Sequence, residues 1–376
     1  MTIPCASCFN AMALIISCLL RNADVKSLEE YMAISSELNE GLNKFLANEF
    51  PELYSTELKI YALYGEKGNL LLKKIEIFIE KCNKKKEYFP LIKLLGRLDL
   101  KLSDYLVMIE ACIIDDEISG INDNIEKTGV QLLPRCECFW AHLNREKTAS
   151  VNLNNFLKGF YFIEIGKIAP YEVRHHFLNP VVFQRAHKKK YLTIGITPFS
   201  SKAILTPKKT YSSAYNSFEM DNISNSSELA RIAEKLFSKA RDMEVDILCF
   251  PEMIGHKDIT NALINKMPEI LDSETKCNPV LTVCPSHWEN RSNRADILTE
   301  SGDILCSQYK HRAFPASMDG KIFREDLSGN QRIELIHCDG IGRIAVAICI
   351  DALTLPYLQL LWNILKVTLL LVPSFS

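Results

Sequence analysis

The sequence lacks the features that would place it outside an ordinary aqueous globular class. It has no surplus of charge of one sign: 44 Lys and Arg stand against 46 Asp and Glu, for a net charge of −2. That balance gives no global reason to expect nucleic acid as a partner. It has no long uninterrupted apolar run. Ala11 to Leu20 ("AMALIISCLL") is far shorter than the roughly 20 residues that cross a bilayer and has no basic stretch before it. We expect a core helix there rather than a signal peptide. Leu353 to Val372 is longer, but Pro356, Gln359, Asn363 and Lys366 interrupt it, which fits a helix followed by a buried strand. No fixed-period repeat is visible, which argues against a solenoid. The CxxC of Cys5 and Cys8 has no second pair to complete a metal site.

Cysteine is plentiful, 13 in 376 residues, but scattered and odd in number. With no secretion signal we read these as reduced thiols in a soluble, cytoplasmic protein. Cys136, Cys138 and His142 could supply three metal ligands, yet structural zinc sites take four at better spacing. The two adjacent acids of "IIDDE" (Ile113 to Glu117) fall at an expected helix end, where solvated carboxylates are the ordinary outcome. The expectation is therefore no metal and no organic cofactor.

The organisation changes along the chain. Residues 1–165 read as a helical domain. Ser27 with Glu30 forms a capping box ahead of apolar positions from Leu28 to Leu46 near a 3.6-residue period. Leu70 to Lys86 and Ser103 to Ile114 repeat that style. Residues 166–190 read as a linker ending in Lys188 to Lys190. Residues 191–376 alternate strands with helices and so read as α/β. Here Ser226 or Ser227 caps a helix leading to the strand Val245 to Phe250, and "ESGD" (Glu300 to Asp303) closes a hairpin.

Three expected strand ends carry chemistry. "ILCFPE" places Glu252 just past a strand, "CSQYK" places Lys310 past another, and "VAICID" places Cys349 past a third. Ligands in α/β folds gather at the carboxyl ends of strands. A solvated glutamate or lysine, or a packed cysteine, is unremarkable alone; a base, a cation and a thiol together suggest a nucleophilic site.

These motifs resemble those of the nitrilase superfamily, the carbon–nitrogen hydrolases. "DILCFPE" resembles the family's Glu motif, "GDILCSQYK" its Lys motif and "IAVAICID" its Cys motif, in the family's order. Glu325 in "GKIFRE" resembles its second glutamate, and Asn293 the asparagine ahead of the hairpin strand. In one departure Tyr309 directly abuts Lys310, where the family has an intervening residue; Lys321 is the alternative lysine, but it falls too late. The resemblance implies an α-β-β-α sandwich over 191–376, C-terminally incomplete. Its strand Val367 to Val372 would then lie at an unfinished sheet whose apolar edge invites association.

The resemblance also implies roles. Cys349 attacks an amide or nitrile carbon, Glu252 is the general base, and Lys310 with the backbone N–H of Ile350 stabilises the oxyanion. Glu325 orients Lys310 and the substrate's leaving group. Apart from the resemblance, His287 and Trp288, just past the strand Val280 to Cys284, are candidates either to line the substrate pocket or to form a rim contact. Expected partners are a small amide or nitrile substrate and a second copy of the chain or a completing partner chain, with no membrane and no nucleic acid for the hydrolase domain. Cys349 should alkylate faster than the other cysteines and lose reactivity in a Glu252→Gln variant. The alternative expectation is a catalytically inactive or truncated scaffold, with the helical region as the working part. In domain order the chain also resembles a bacterial antiviral reverse transcriptase with a nitrilase-like region, though no polymerase motif is present.

Overall fold

The structure is a computed structural model that describes residues 6–54, 65–111, 125–139, 152–197, 203–212, 215–267 and 277–375. Cys5, His142 and the Ile113–Glu117 acids lie outside the described residues. The chain forms two compact units, Met1–Cys136 with His142–Ala169, and Glu137–Ala141 with Pro170–Ser376.

The first unit is built on helical stripes. Helix α1 (Ala6–Asn22) buries Met12, Ile15, Ile16 and Leu19, the i, i+3, i+4, i+7 face of a packed helix. Among the described residues no single helix is long and apolar enough to cross a membrane. The expected capping box at Ser27 is displaced. Helix α2 (Val25–Met32) is capped by Asp24, whose carboxylate accepts the Ser27 N–H at 2.8 Å. Helix α3 (Ser36–Glu49) has a separate cap, Ser35. An ionised carboxylate one turn earlier is the stronger acceptor, and a second cap splits the apolar run into two helices. After the single turn α4 (Pro51–Tyr54) come α5 (Gly65–Lys85), burying Leu71, Ile75, Phe78 and Cys82, and α6 (Phe89–Ala111), burying Leu91, Leu94, Leu95, Leu98 and Leu102.

The region is not purely helical. Beyond the turn α7 (Ile125–Thr128), strands β1 (Val130–Pro134) and β2 (Phe160–Glu164) pair antiparallel. Asp99 of α6, fully buried, accepts the N–H groups of Lys158, Gly159 and Phe160, which fixes the start of β2 on that helix.

The second unit starts earlier than the sequence suggested. The expected linker holds strand β3 (Glu172–Phe177) and helix α8 (Gln184–Lys189). Alternation in "EVRHHF" puts Val173, His175 and Phe177 on one buried face, a strand signal that its two central histidines obscured. Three sheets follow. The first orders β11 (Ile304–Tyr309), β10 (Ser292–Thr299), β8 (Leu281–Val283), β7 (Ile247–Cys249) and β4 (Ile194–Ile196), with β9 (His287–Glu289) also on β10. The expected "ESGD" hairpin joins β10 to β11. The second orders β16 (Leu369–Leu371), β15 (Gly342–Val346), β14 (Arg332–Cys338) and β3. The third, not foreseen, orders β12 (Pro315–Met318), β13 (Lys321–Glu325), β6 (Ser217–Ile223) and β5 (Leu205–Thr210).

Layering follows from the faces. Ile247, Val283, Ala295 and Ile297 of the first sheet meet Ile336, Ile344, Val346 and Leu371 of the second in one core. The other face of the first sheet, with Leu248 and Leu298, is covered by α9 (Ser226–Asp242) through Leu229, Ala233 and Phe237 and by α10 (Lys257–Lys266) through Ile259 and Leu263. Helix α9 is capped by neither serine: Asn225 occupies the N-cap position, and Ser226 bonds to Asp258 instead. Short helix α11 (Leu355–Gln359) follows the β15 strand end and precedes β16. The basic runs are tied into surface ion pairs, Lys189 with Glu244 and Lys208 with Glu219. Such exposed pairs are screened by solvent and contribute little to stability.

The loop after β7 crosses another backbone closely at Gly255. A Cβ there would lie 2.3 Å from the Pro285 carbonyl oxygen and 2.6 Å from that of Ser286. Backbone cannot yield as a side-chain tip can. Gly255→Ala is therefore expected to lower stability by about 1–3 kcal/mol, read as a fall in the denaturant midpoint. An unchanged midpoint would refute the crossing.

Candidate active site

Strand direction brings the predicted residues to one edge. β7 runs parallel to β8, β8 antiparallel to β10, and β10 antiparallel to β11, so β7 and β11 end at the same edge. Glu252 and Lys310 leave from those ends, while Cys349 leaves the end of β15 in the facing sheet. Glu325 closes β13. The two sheets pack face to face, so residues distant in sequence converge.

They converge into a buried ion cluster. The Lys310 ammonium lies 2.6 Å from Glu252 Oε1 and 2.6 Å from Glu325 Oε2, with all three side chains essentially sealed from solvent. Asn293 binds the cluster at two levels. Its amide donates to Glu252 Oε1 at 3.1 Å, and its backbone carbonyl accepts the Lys310 N–H at 2.8 Å. Glu325 Oε2 also accepts the Phe314 N–H at 2.7 Å, and Glu252 Oε2 accepts the Phe375 N–H at 3.4 Å. Lys321, the alternative lysine, is exposed on β13; its ammonium lies over the Tyr211 ring, and it takes no part in the cluster.

The charges shape one another. Burial pulls the Lys310 ammonium down, but the two carboxylates outweigh it and hold its pKa above the usual lysine range. Burial raises the Glu325 carboxyl above the usual range against the pull of Lys310. Two of the three ammonium donors are taken by carboxylates, leaving a third.

Cys349 sits half-buried on a turn with φ +50°, a left-handed conformation that a non-glycine residue adopts at a cost. Its N–H donates to the Pro373 carbonyl at 2.8 Å, which anchors the turn. The Glu252 carboxylate acts on the thiol through its charge and as an acceptor, and the Ile350 N–H acts on it as a donor. Burial, then the negative charge and hydrogen bond of Glu252, push its pKa up to about 11, so it rests as the thiol. A thiol beside a carboxylate and a fixed cation is the arrangement that nucleophilic catalysis by cysteine would need.

One contributor escaped the sequence reading. Asp351, buried, accepts the N–H groups of His311 and Arg312 at 2.9 Å each. It ties the turn after Lys310 to the turn bearing Cys349. Burial lifts its carboxyl to about 7 despite those two donors. The C-x-D spacing was the visible signal; its partners were not, because they sit on another strand.

His287 and Trp288 go elsewhere. They line a cavity of about 410 Å³ with Met253, His256, Thr260 and Asp296, and its walls include none of Glu252, Lys310, Glu325 or Cys349. Asp296 and Leu298 share the helix-covered face of β10, so this cavity opens on the opposite side of the sheet from the inter-sheet core. Alternation puts their side chains on opposite faces: His287 pairs with Arg294, on the face of Asp296, while Trp288 pairs with Asn293.

No protein-family model matches the chain, and no curated protein does either. Comparison with solved structures finds members of the nitrilase superfamily. An amidase from Nesterenkonia sp. of that superfamily matches with 13% identity over 40% of this chain and 60% of its own, at a TM-score of 0.32. Saccharomyces cerevisiae Nit3, a member of branch 10 of the superfamily, matches with 16% identity over 40% and 58%, at 0.29. The C. elegans NitFhit protein matches with 20% identity over 39% and 40%, at 0.27. The matched part thus spans about 60% of the amidase's length. Likeness at this level leaves the chemistry to be argued from the residues themselves.

Proposed function

We propose that the second unit hydrolyses a small non-peptide amide through an acyl-thioester on Cys349. The observation that carries this reading is the sealed Glu252–Lys310–Glu325 cluster, with the half-buried Cys349 thiol within reach of the Glu252 charge. A buried ion triad is weak evidence of stability design, since apolar replacement is often neutral or stabilising. Its meeting with a strained thiol is better explained by chemistry.

In this reading the Cys349 sulfur bonds to the carbonyl carbon while its proton passes to Glu252. The carbonyl electron pair moves to oxygen, which the third Lys310 donor and the Ile350 N–H stabilise. Collapse breaks the C–N bond, and Glu252 returns the proton to the departing amine. Water, deprotonated by Glu252, then releases the acid and restores the thiol. Glu325 and Asn293 hold Lys310 and Glu252 in register.

The site favours an amide over a nitrile. Asn293 Oδ1 and Glu325 Oε1 are buried acceptors facing no donor. An amide NH₂ can supply hydrogen to such atoms; a nitrile has none to give. The test is to incubate the full chain with small primary amides and matched nitriles and to follow the Cys349 peptide by mass spectrometry. An acyl adduct on Cys349, with ammonia released from amides in preference to nitriles, is expected. Turnover that persists in Cys349→Ala would refute the assignment.

A further inference from the structure

A second cluster of ligating side chains lies away from the Cys349 site. His176 on β3, Glu334 on β14 and Cys306 on β11 bring one ligand atom each to within 4.8 Å of one another. His176 Nε2 lies 2.6 Å from Glu334 Oε2. We propose that these three residues bind a divalent transition-metal ion of the zinc class, bracing the edges of the two sheets.

The ordinary reading is a histidine–glutamate hydrogen bond with a cysteine filling space beside it. Several observations favour a metal. The ligands come from three strands in two different sheets, and those sheets are already stitched beside the cluster. Gln308, two residues along β11 from Cys306, donates to the Arg332 carbonyl at 3.1 Å and accepts the Glu334 N–H at 3.0 Å. The ligand-bearing strands are therefore held in place before any ion arrives, which lowers the cost of binding.

Charge points the same way. A thiolate, a carboxylate and a neutral imidazole around a divalent cation sum to zero, the condition a buried site tolerates best. Tetrahedral zinc separates nitrogen, oxygen and sulfur ligands by about 3.3–3.7 Å. Side-chain rotation would suffice to reach that spacing. The mixed N, S, O set suits zinc, cobalt, nickel or copper and not magnesium or calcium, which take oxygen ligands. On binding, the Cys306 proton passes to solvent, the His176 ring proton moves from Nε2 to Nδ1 so that the imidazole stays neutral, and a water completes the fourth position.

The test is a cobalt(II) titration of the full chain after treatment with a chelator. Cobalt stands in for zinc because its bond to sulfur gives a thiolate charge-transfer band. One equivalent should bind with that band; Cys306→Ser should abolish it, and Cys349→Ala should keep it. His176→Gln should weaken binding at least roughly 10-fold, since even outer partners of metal ligands are worth about that much. Circular dichroism confirms that each variant is folded, and Cys306→Ala replaces Cys306→Ser if the serine variant is not. Zinc should raise the melting temperature of the unaltered chain and not of the Cys306 variant. Absence of the band, or a band that survives both the Cys306 and the His176 changes, would overturn the proposal. Neither readout depends on turnover at Cys349.

Discussion

Lys310→Met is expected to cost about 3–5 kcal/mol of folding stability, measured as a fall in the denaturant midpoint at unchanged slope. Methionine fits the volume, so packing is not the source of the loss. The source is the pair of carboxylates on either side, both sealed from solvent, that the ammonium neutralises at 2.6 Å on each side. Removing the cation leaves both groups buried without their partner. The deficit should shrink as pH falls. The Glu325 carboxyl is already raised by burial while Lys310 pulls it down, so losing Lys310 raises it further and lets it take up a proton sooner. Protonation removes the uncompensated charge and with it the penalty. A loss under about 1 kcal/mol, the size of an exposed pair, would mean that water reaches the cluster and that its three charges are not sealed together.

Glu252→Gln should move two quantities in opposite directions. Amide turnover should fall by about 10²–10⁴, the usual worth of a positioned general base. The Cys349 thiol pKa should nonetheless drop below about 11, because burial raises it first and Glu252 adds to that both through its charge and by accepting the thiol proton. Alkylation at mildly alkaline pH should therefore speed up, reversing the expectation drawn from the sequence. The sequence reading treated Glu252 only as an activator. The Glu252 charge also favours the protonated thiol. Paired measurements of turnover and of the alkylation pH profile test this. Retained turnover in the glutamine variant would remove Glu252 from the mechanism.

The candidate residues Glu252, Lys310 and Cys349 could be read from the chain because each follows an apolar strand, a local pattern, whereas Glu325 stood out only through the resemblance of "GKIFRE" to a family motif. Their meeting could not be read so, since it depends on two sheets packing face to face. His287 and Trp288 illustrate the limit: they stand on the strand beside Asn293, yet both line a cavity whose walls include none of the cluster residues. Asp351 was visible as a spacing and invisible as a brace. The His176–Cys306–Glu334 trio had no sequence signature, being scattered over three strands. Strand β3 was hidden for a related reason, since its histidines read as polar although His175 is buried against His337. The third sheet, with short strands such as "KIFRE" and "PASM", offered little apolar contrast to read.

The turn that presents Cys349 and the carboxylate that receives its proton share a tether. Pro373 accepts the Cys349 N–H, and Phe375 donates to Glu252 Oε2. Residues 373–375 thus hold the proposed nucleophile and the proposed base at once, one by each end. A pull on that segment would slacken both together, so their spacing behaves as a single adjustable length rather than two separate ones.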